Sequence, residues 1–348
     1  MEIAIKRITS IVIFLNVCGK SPRIDYDQFK STWYTSASPG GKSTMEGYYE
    51  SCSQGYTTFL EDDNYIVPSE VSIPCVGQIA GSVWNATQCS YLELYGWANY
   101  TDHYLTDTKH IELANYSRKI YVLPYNQKCS WSGRSNSGCR LGGSSCIIWL
   151  NGGVNLATIF HEIGHTLGLA HSTTPSDEYG DYSCAMGGVG RVRCFNAPQN
   201  WFLGWAKPIA DINASNLEEN VWKSFIVPPQ NSVKNNMIRI STNWNNSQPY
   251  THYFISFRAK VNYDIGLYNP YVNAISIHSY NNTGNVNYLG RPMLVKVINN
   301  ISLQVWMEYT HKLAIRVNSI DGGVSASVSV CHFLNNIDNC YPPSKSGV

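Results

Sequence analysis

From about residue 225 onward, apolar and polar positions alternate with a period of two. Tyr253-Phe254-Ile255-Ser256-Phe257, Ala274-Ile275-Ser276-Ile277, Leu313-Ala314-Ile315-Arg316-Val317 and the stretch Val324 to Val330 all follow it. Alternation places successive side chains on opposite faces of a strand, so each run predicts a half-buried strand. Six or more such runs, separated by Asn and Gly turns, predict an all-β, sandwich-like domain over residues 211–348. Upstream the pattern is mixed. Residues 48–125 hold short strand-like runs such as Ile120 to Leu123, closed by Pro124. Cys146 to Leu150 predicts a further strand, and Asn151-Gly152-Gly153 a turn. Between Asn155 and Leu167 the period changes to that of a helix. Leu156, Ile159, Phe160, Ile163 and Leu167 form one apolar face, and His161 and His165 project about 160° from its centre. The fold class is therefore α+β, with one domain at 48–210 and an all-β domain after it.

The N-terminal stretch has its own pattern. Lys6 and Arg7 precede an apolar run, Ile8 to Val17, and Val17-Cys18-Gly19 offers small residues for cleavage. This predicts a secretory signal peptide over residues 1–19. A ten-residue, mainly apolar run is too short to cross a bilayer, and no later segment reaches the roughly 18 needed, so no integral membrane segment is expected. Residues 20–47, rich in Ser, Gly and Lys, read as a short leader or N-terminal arm.

Composition narrows the classes. Apolar residues make up 43% of the 348, which excludes a disordered chain. Formal net charge is +1 and no basic run appears, which argues against nucleic acid as a partner. Eleven cysteines are present. With Cys18 assigned to the signal, the other ten predict about five disulfides in a secreted chain. Cys184 with Cys194, and Cys331 with Cys340, are the local pairings to expect. Seven Asn-X-Ser/Thr sequons, at Asn85, Asn99, Asn115, Asn213, Asn245, Asn281 and Asn300, suit an extracellular glycoprotein. A monomer is expected.

The chemistry lies in residues 161–171, His161-Glu162-Ile163-Gly164-His165-Thr166-Leu167-Gly168-Leu169-Ala170-His171. Such a pattern arises by chance in roughly one chain in 10⁵ of this composition. His161 and His165 lie one helical turn apart, so both imidazoles can reach one ion. Gly168 can adopt positive φ, end the helix and let the chain deliver His171. Three neutral imidazoles leave a fourth position open, the mark of one catalytic Zn²⁺. Glu162 stands beside the ligands as the candidate general base. Fifteen residues past His171, Met186 follows Ser183-Cys184-Ala185, where a metzincin places its Met-turn as structural support.

Around this motif the chain resembles the gametolysin family, peptidase family M11, within the metzincins. The matching pieces are Tyr48-Tyr49-Glu50-Ser51-Cys52-Ser53-Gln54-Gly55, Ile73-Pro74-Cys75, Tyr121-Val122-Leu123-Pro124, Tyr179-Gly180-Asp181 with Met186-Gly187, Asn196-Ala197-Pro198-Gln199 and Leu203-Gly204-Trp205. The resemblance implies a metzincin-type catalytic domain and a secreted zinc metalloendopeptidase that acts on extracellular-matrix or cell-wall glycoproteins. Its ligands would be His161, His165 and His171, its catalytic glutamate Glu162 and its Met-turn residue Met186. It also implies a substrate lying antiparallel to an edge strand near Cys146–Leu150. Residues Gly187 to Cys194 would wall the adjoining pocket; Arg191 and Arg193 either bias it toward acidic or polar groups or, as is expected, simply face solvent. The alternative is a silent or latent zinc-binding protein that recognises glycoproteins, and the intact Glu162 favours the enzyme.

Overall fold

A computed structural model describes residues 7–38, 43–125, 128–138, 146–152, 155–188, 190–244, 250–281, 290–299 and 305–342. Gly153, Cys139, the sequons at Asn245 and Asn300 and the C-terminal tail lie outside the described residues. The chain divides into two compact units. One is Ile5–Glu50 with Thr57–Leu169; the other is Ser51–Tyr56 with Ala170–Val348.

The first unit is built on a sheet in the order Asn64–Ile66, Ser10–Val17, Arg118–Val122, Cys146–Leu150, Gly133–Ser135. The first four strands run parallel, and Gly133–Ser135 pairs antiparallel with Cys146–Leu150. Val71–Ile73 extends the far end of Ser10–Val17. Ile11, Ile13, Leu15 and Val17 pack into one core with Trp84, Leu94, Trp97 and Trp149. Phe14 meets Phe29 edge to face, with centroids 5.4 Å apart.

This placement corrects the signal-peptide expectation. Ser10–Val17 is an inner strand of the sheet, Arg7 is ion-paired with Asp63, and Cys18 is disulfide-bonded to Cys75. The reason is physical. A parallel strand buried on both faces reads as an unbroken apolar run, which is also what the core of a signal peptide looks like. The segment after it is no loose arm either. Tyr26–Trp33 is a helix with a capping box, Asp25 accepting from Gln28 N and the Gln28 side chain reaching back to Asp25 N. Its Phe29 and Trp33, four residues apart, are buried. Two helices also interrupt the stretch read as strand-like. Met45–Ser53 is one, and Tyr91–His103, capped by Ser90 with Glu93, is the other.

The second unit holds two sheets. One runs Lys223–Val227, Ser325–His332, Leu313–Asp321, Val305–Glu308. The other runs Met293–Ile298, Ala274–Asn281, Thr251–Arg258, Asn235–Ser241, Lys207–Ile212. Every pairing is antiparallel except that of Lys207–Ile212 with Asn235–Ser241. Alternate residues from both sheets, among them Ile238, Ile255, Ile277, Ile315 and Val328, merge in one core. This is the face that the period-two runs predict. Every strand expected from those runs is present.

The structural division falls after Leu169 rather than after residue 210. Residues 170–206 are mostly loop, and several of their hydrogen bonds go to the segments that follow. Thr173 N donates to Pro292 O at 2.9 Å, Cys194 N to Asp264 Oδ1 at 2.8 Å, and Asn200 Nδ2 to Asn231 Oδ1 at 2.9 Å. Such loops carry no period, so nothing in their pattern announces where they pack. The Cys52–Cys194 disulfide accounts for Ser51–Tyr56 joining this unit. Cys331–Cys340 forms as expected, and Cys89 pairs with Cys129. The expected Cys184–Cys194 bond does not form, because Cys194 is taken by Cys52. Cys184 is a buried free thiol 2.9 Å from Gln199 Oε1. No helix among the described residues is long and apolar enough to cross a membrane.

Candidate metal centre

The helix Leu156–Thr166 begins at Asn155, whose side chain accepts from Ala157 N at 2.9 Å. Ile159, Phe160 and Ile163 anchor its apolar face, with the Phe160 ring stacked 3.8 Å from that of Tyr48. At its far end the buried Arg118 Nε donates to Thr166 Oγ1 at 2.7 Å. The helix stops where Gly168 takes φ +89°, a conformation that disfavours side chains. Three residues later comes His171. His161, His165 and His171 each bring one ring nitrogen to within 4.8 Å of the others.

Two of the rings have a fixed orientation. His165 Nδ1 lies 2.8 Å from Leu169 O, and His171 Nδ1 lies 2.9 Å from Glu178 Oε1. A neutral imidazole that donates from Nδ1 presents Nε2 as its lone-pair nitrogen. The donor set thus fits a metal ion that favours imidazole nitrogen.

Glu162 is 6% exposed. Ser135 Oγ donates to its Oε2 at 2.8 Å and lies 3.0 Å from its carbonyl oxygen. Burial pushes the carboxyl up to about 7, against the lowering pull of the Ser135 hydroxyl and Arg134. Gly133, two residues before Ser135, has no side chain for good reason. A Cβ there would stand 2.7 Å from Glu162 Cγ and Oε1. The edge strand beside the helix is therefore Gly133–Ser135. Cys146–Leu150, near which the edge is expected, lies inside the sheet between Arg118–Val122 and this strand. Three residues of mixed polarity in a loop-like stretch give no strand signal, so the pattern alone does not reveal that the edge next to Cys146–Leu150 is Gly133–Ser135.

Beyond His171 the chain is knotted by hydrogen bonds. Ser172 N donates to Met186 O at 2.9 Å, so the expected Met-turn is tied to the residue after the third histidine. Met186 itself is fully buried. The buried Asp181 accepts from Ser172 Oγ at 2.7 Å, Ser183 Oγ at 2.6 Å and His278 Nε2 at 3.0 Å. Burial alone would raise this carboxyl. The attraction and hydrogen bond of His278, with those of Ser172 and Ser183, outweigh it and hold the group far below the usual carboxylate range. Arg193 does not face solvent. It is buried, donating to the carbonyls of Cys184, Arg191 and Gly188. Arg191 lies over the Tyr268 ring, 4.2 Å from its centroid.

Sequence reasoning finds His161, Glu162, His165, His171 and Met186 but misses Gly133, Ser135, Glu178 and His278. Ser135 lies 27 residues from Glu162, and His278 lies 97 from Asp181, so no local spacing connects either pair. Glu178, seven residues past His171, is near enough to be suspected, since ligand histidines commonly carry a carboxylate partner.

Comparison with known proteins identifies a family. The family profile described as Gametolysin peptidase M11 matches residues 7–311. A protein of Chlamydomonas reinhardtii named Autolysin is 25% identical, the match covering 69% of this chain and 49% of that one. The chain thus spans about half the length of that curated relative.

Proposed function

The chain belongs to the gametolysin M11 family of metallopeptidases, and from that premise we propose that it is a secreted zinc endopeptidase of metzincin type with a β-sandwich accessory domain. The observation that carries the reading is the convergence of three imidazoles with a buried carboxylate between two of them in sequence. The order of the first sheet, with an antiparallel strand at its edge, supports the metzincin assignment. When bound by His161, His165 and His171, zinc would acidify a water and polarise a peptide carbonyl.

The protein's own part is orientation and proton transfer. Glu162 accepts a proton from water at the carboxylate and returns it to the departing amine. Ser135 holds Oε2, which leaves Oε1 as the oxygen free to turn toward the proton. A substrate backbone extends along the outer edge of Gly133–Ser135, adding as a further strand. The Cys18–Cys75, Cys52–Cys194, Cys89–Cys129 and Cys331–Cys340 bonds suit an oxidising, extracellular site of action. Matrix or cell-wall glycoproteins are the proposed substrates.

The test is hydrolysis of casein and a peptide library by the parent chain and by Glu162→Gln, with zinc determined in each. About one zinc per chain in both is expected, with cleavage by the parent and a loss of at least 10²-fold in the variant. If both proteins hold zinc and neither cleaves, the site is a binding centre and not a peptidase.

A further inference from the structure

We propose that Glu178, braced by Arg291, is a positioning residue for His171 and fixes the ring so that Nε2 is its metal ligand. The inference rests on the metal reading above. His161 and His165 are held by the helix that carries them; His171 lies beyond its end, with no helical turn to orient it. Its surroundings supply what the helix does not. Glu178 Oε1 lies 2.9 Å from His171 Nδ1 and 2.8 Å from Arg291 Nη2, so one carboxylate oxygen joins the imidazole to the guanidinium. The Tyr179 ring covers the imidazole, with centroids 4.1 Å apart. The ring is thus held at its edge by a carboxylate and on its face by a phenol.

The backbone makes this meeting inevitable. Thr173, two residues past the ligand, forms a parallel bridge with Met293: Thr173 N donates to Pro292 O at 2.9 Å and Leu294 N to Thr173 O at 2.8 Å. The strand Met293–Ile298 therefore sets Arg291 beside the segment that follows His171. A turn then reverses the chain, with Thr174 N donating to Asp177 O at 2.9 Å and Tyr179 N to Asp177 Oδ1 at 2.8 Å. That turn returns Glu178 to the ring. Both charged side chains are exposed enough for solvent to screen them, Glu178 at 44% and Arg291 at 59%. What Glu178 contributes is direction. A carboxylate that accepts the Nδ1 proton selects the tautomer and enriches Nε2, and such partners change metal affinity by about 10- to 100-fold.

The experiment measures zinc affinity of the full chain by competition with a chromogenic chelator. The proteins are the parent, Glu178→Ala, Glu178→Gln, Arg291→Ala and, as control, Glu218→Gln at an exposed carboxylate elsewhere. Glu178→Ala is expected to weaken zinc about 10- to 100-fold. Glu178→Gln, whose amide oxygen still accepts from Nδ1, regains part of that loss. Arg291→Ala weakens it less, and the control matches the parent. In the cobalt-loaded proteins the visible absorption bands shift in Glu178→Ala, while the metal-free forms unfold at the parent's temperature. Should Glu178→Ala fail to fold, Glu178→Gln carries the test, with several-fold weaker zinc expected. Parent-like zinc affinity and cobalt spectra in the Glu178 variants overturn the proposal. A parent that binds no zinc overturns it together with the metal reading.

Discussion

At the scale of single residues, the site depends on small groups as much as on the histidines. Ser135→Ala removes the donor to Glu162 Oε2 and is expected to lower kcat about tenfold, the worth of one hydrogen bond to a charged group, with KM little changed. Gly133→Ala is expected to cost more, because its methyl would displace Glu162 itself. Steady-state peptide hydrolysis distinguishes these outcomes, and an unaltered kcat in both variants contradicts the role given to the edge strand. Cys184 offers a separate check. Burial pushes its thiol up to about 12, so alkylation by iodoacetamide at pH 8 should be slow until the chain unfolds. Mass spectrometry of the alkylated protein measures this directly.

At the scale of elements, the Asp181 carboxylate ties the loop after His171 to the strand Ala274–Asn281 through His278. Ser172, Ser183, Asn196 and His278 all face it. A carboxyl held below its ordinary range contributes stability that is fully present above about pH 4 and fades as pH falls through and below that value. Asp181→Asn should therefore be less stable at neutral pH by about 3–5 kcal/mol, and unfold at lower temperature, with the difference from the parent shrinking in acid. Thermal melts across pH 3–7 test the sign. Elements also show what the sequence makes legible. Strands whose two faces differ in polarity alternate, as at Ser325–His332, and the metal helix has its own period and cap, so both can be read directly. Ser10–Val17 cannot, because burial on both faces erases the alternation that separates a strand from an export signal. Tyr26–Trp33 hides behind a polar composition, since only Phe29 and Trp33 touch the core. The three-histidine motif is compact enough to be legible, whereas Ser135 and His278 come from strands whose register only the folded chain sets.

At the scale of the whole molecule, the first strand is structural and not disposable. Removal of residues 7–19 takes away an inner strand and one half of the Cys18–Cys75 bond, and such a chain is expected to lose its near-ultraviolet circular dichroism and fail to bind zinc. Peptide mapping of the exported, non-reduced protein should recover Cys18 linked to Cys75; a mature chain starting at residue 20 would contradict this placement. The same strand also bears on how the protein is made. Ser10–Val17 leaves the ribosome about a hundred residues before its long neighbour Arg118–Val122. At about 5–20 residues per second, that is a wait of roughly 5–20 s for an apolar segment with no strand on one side. Nascent chains of this protein should therefore be clients of holding chaperones until the second half of the sheet emerges, and translation speed between residues 18 and 118 becomes a determinant of yield.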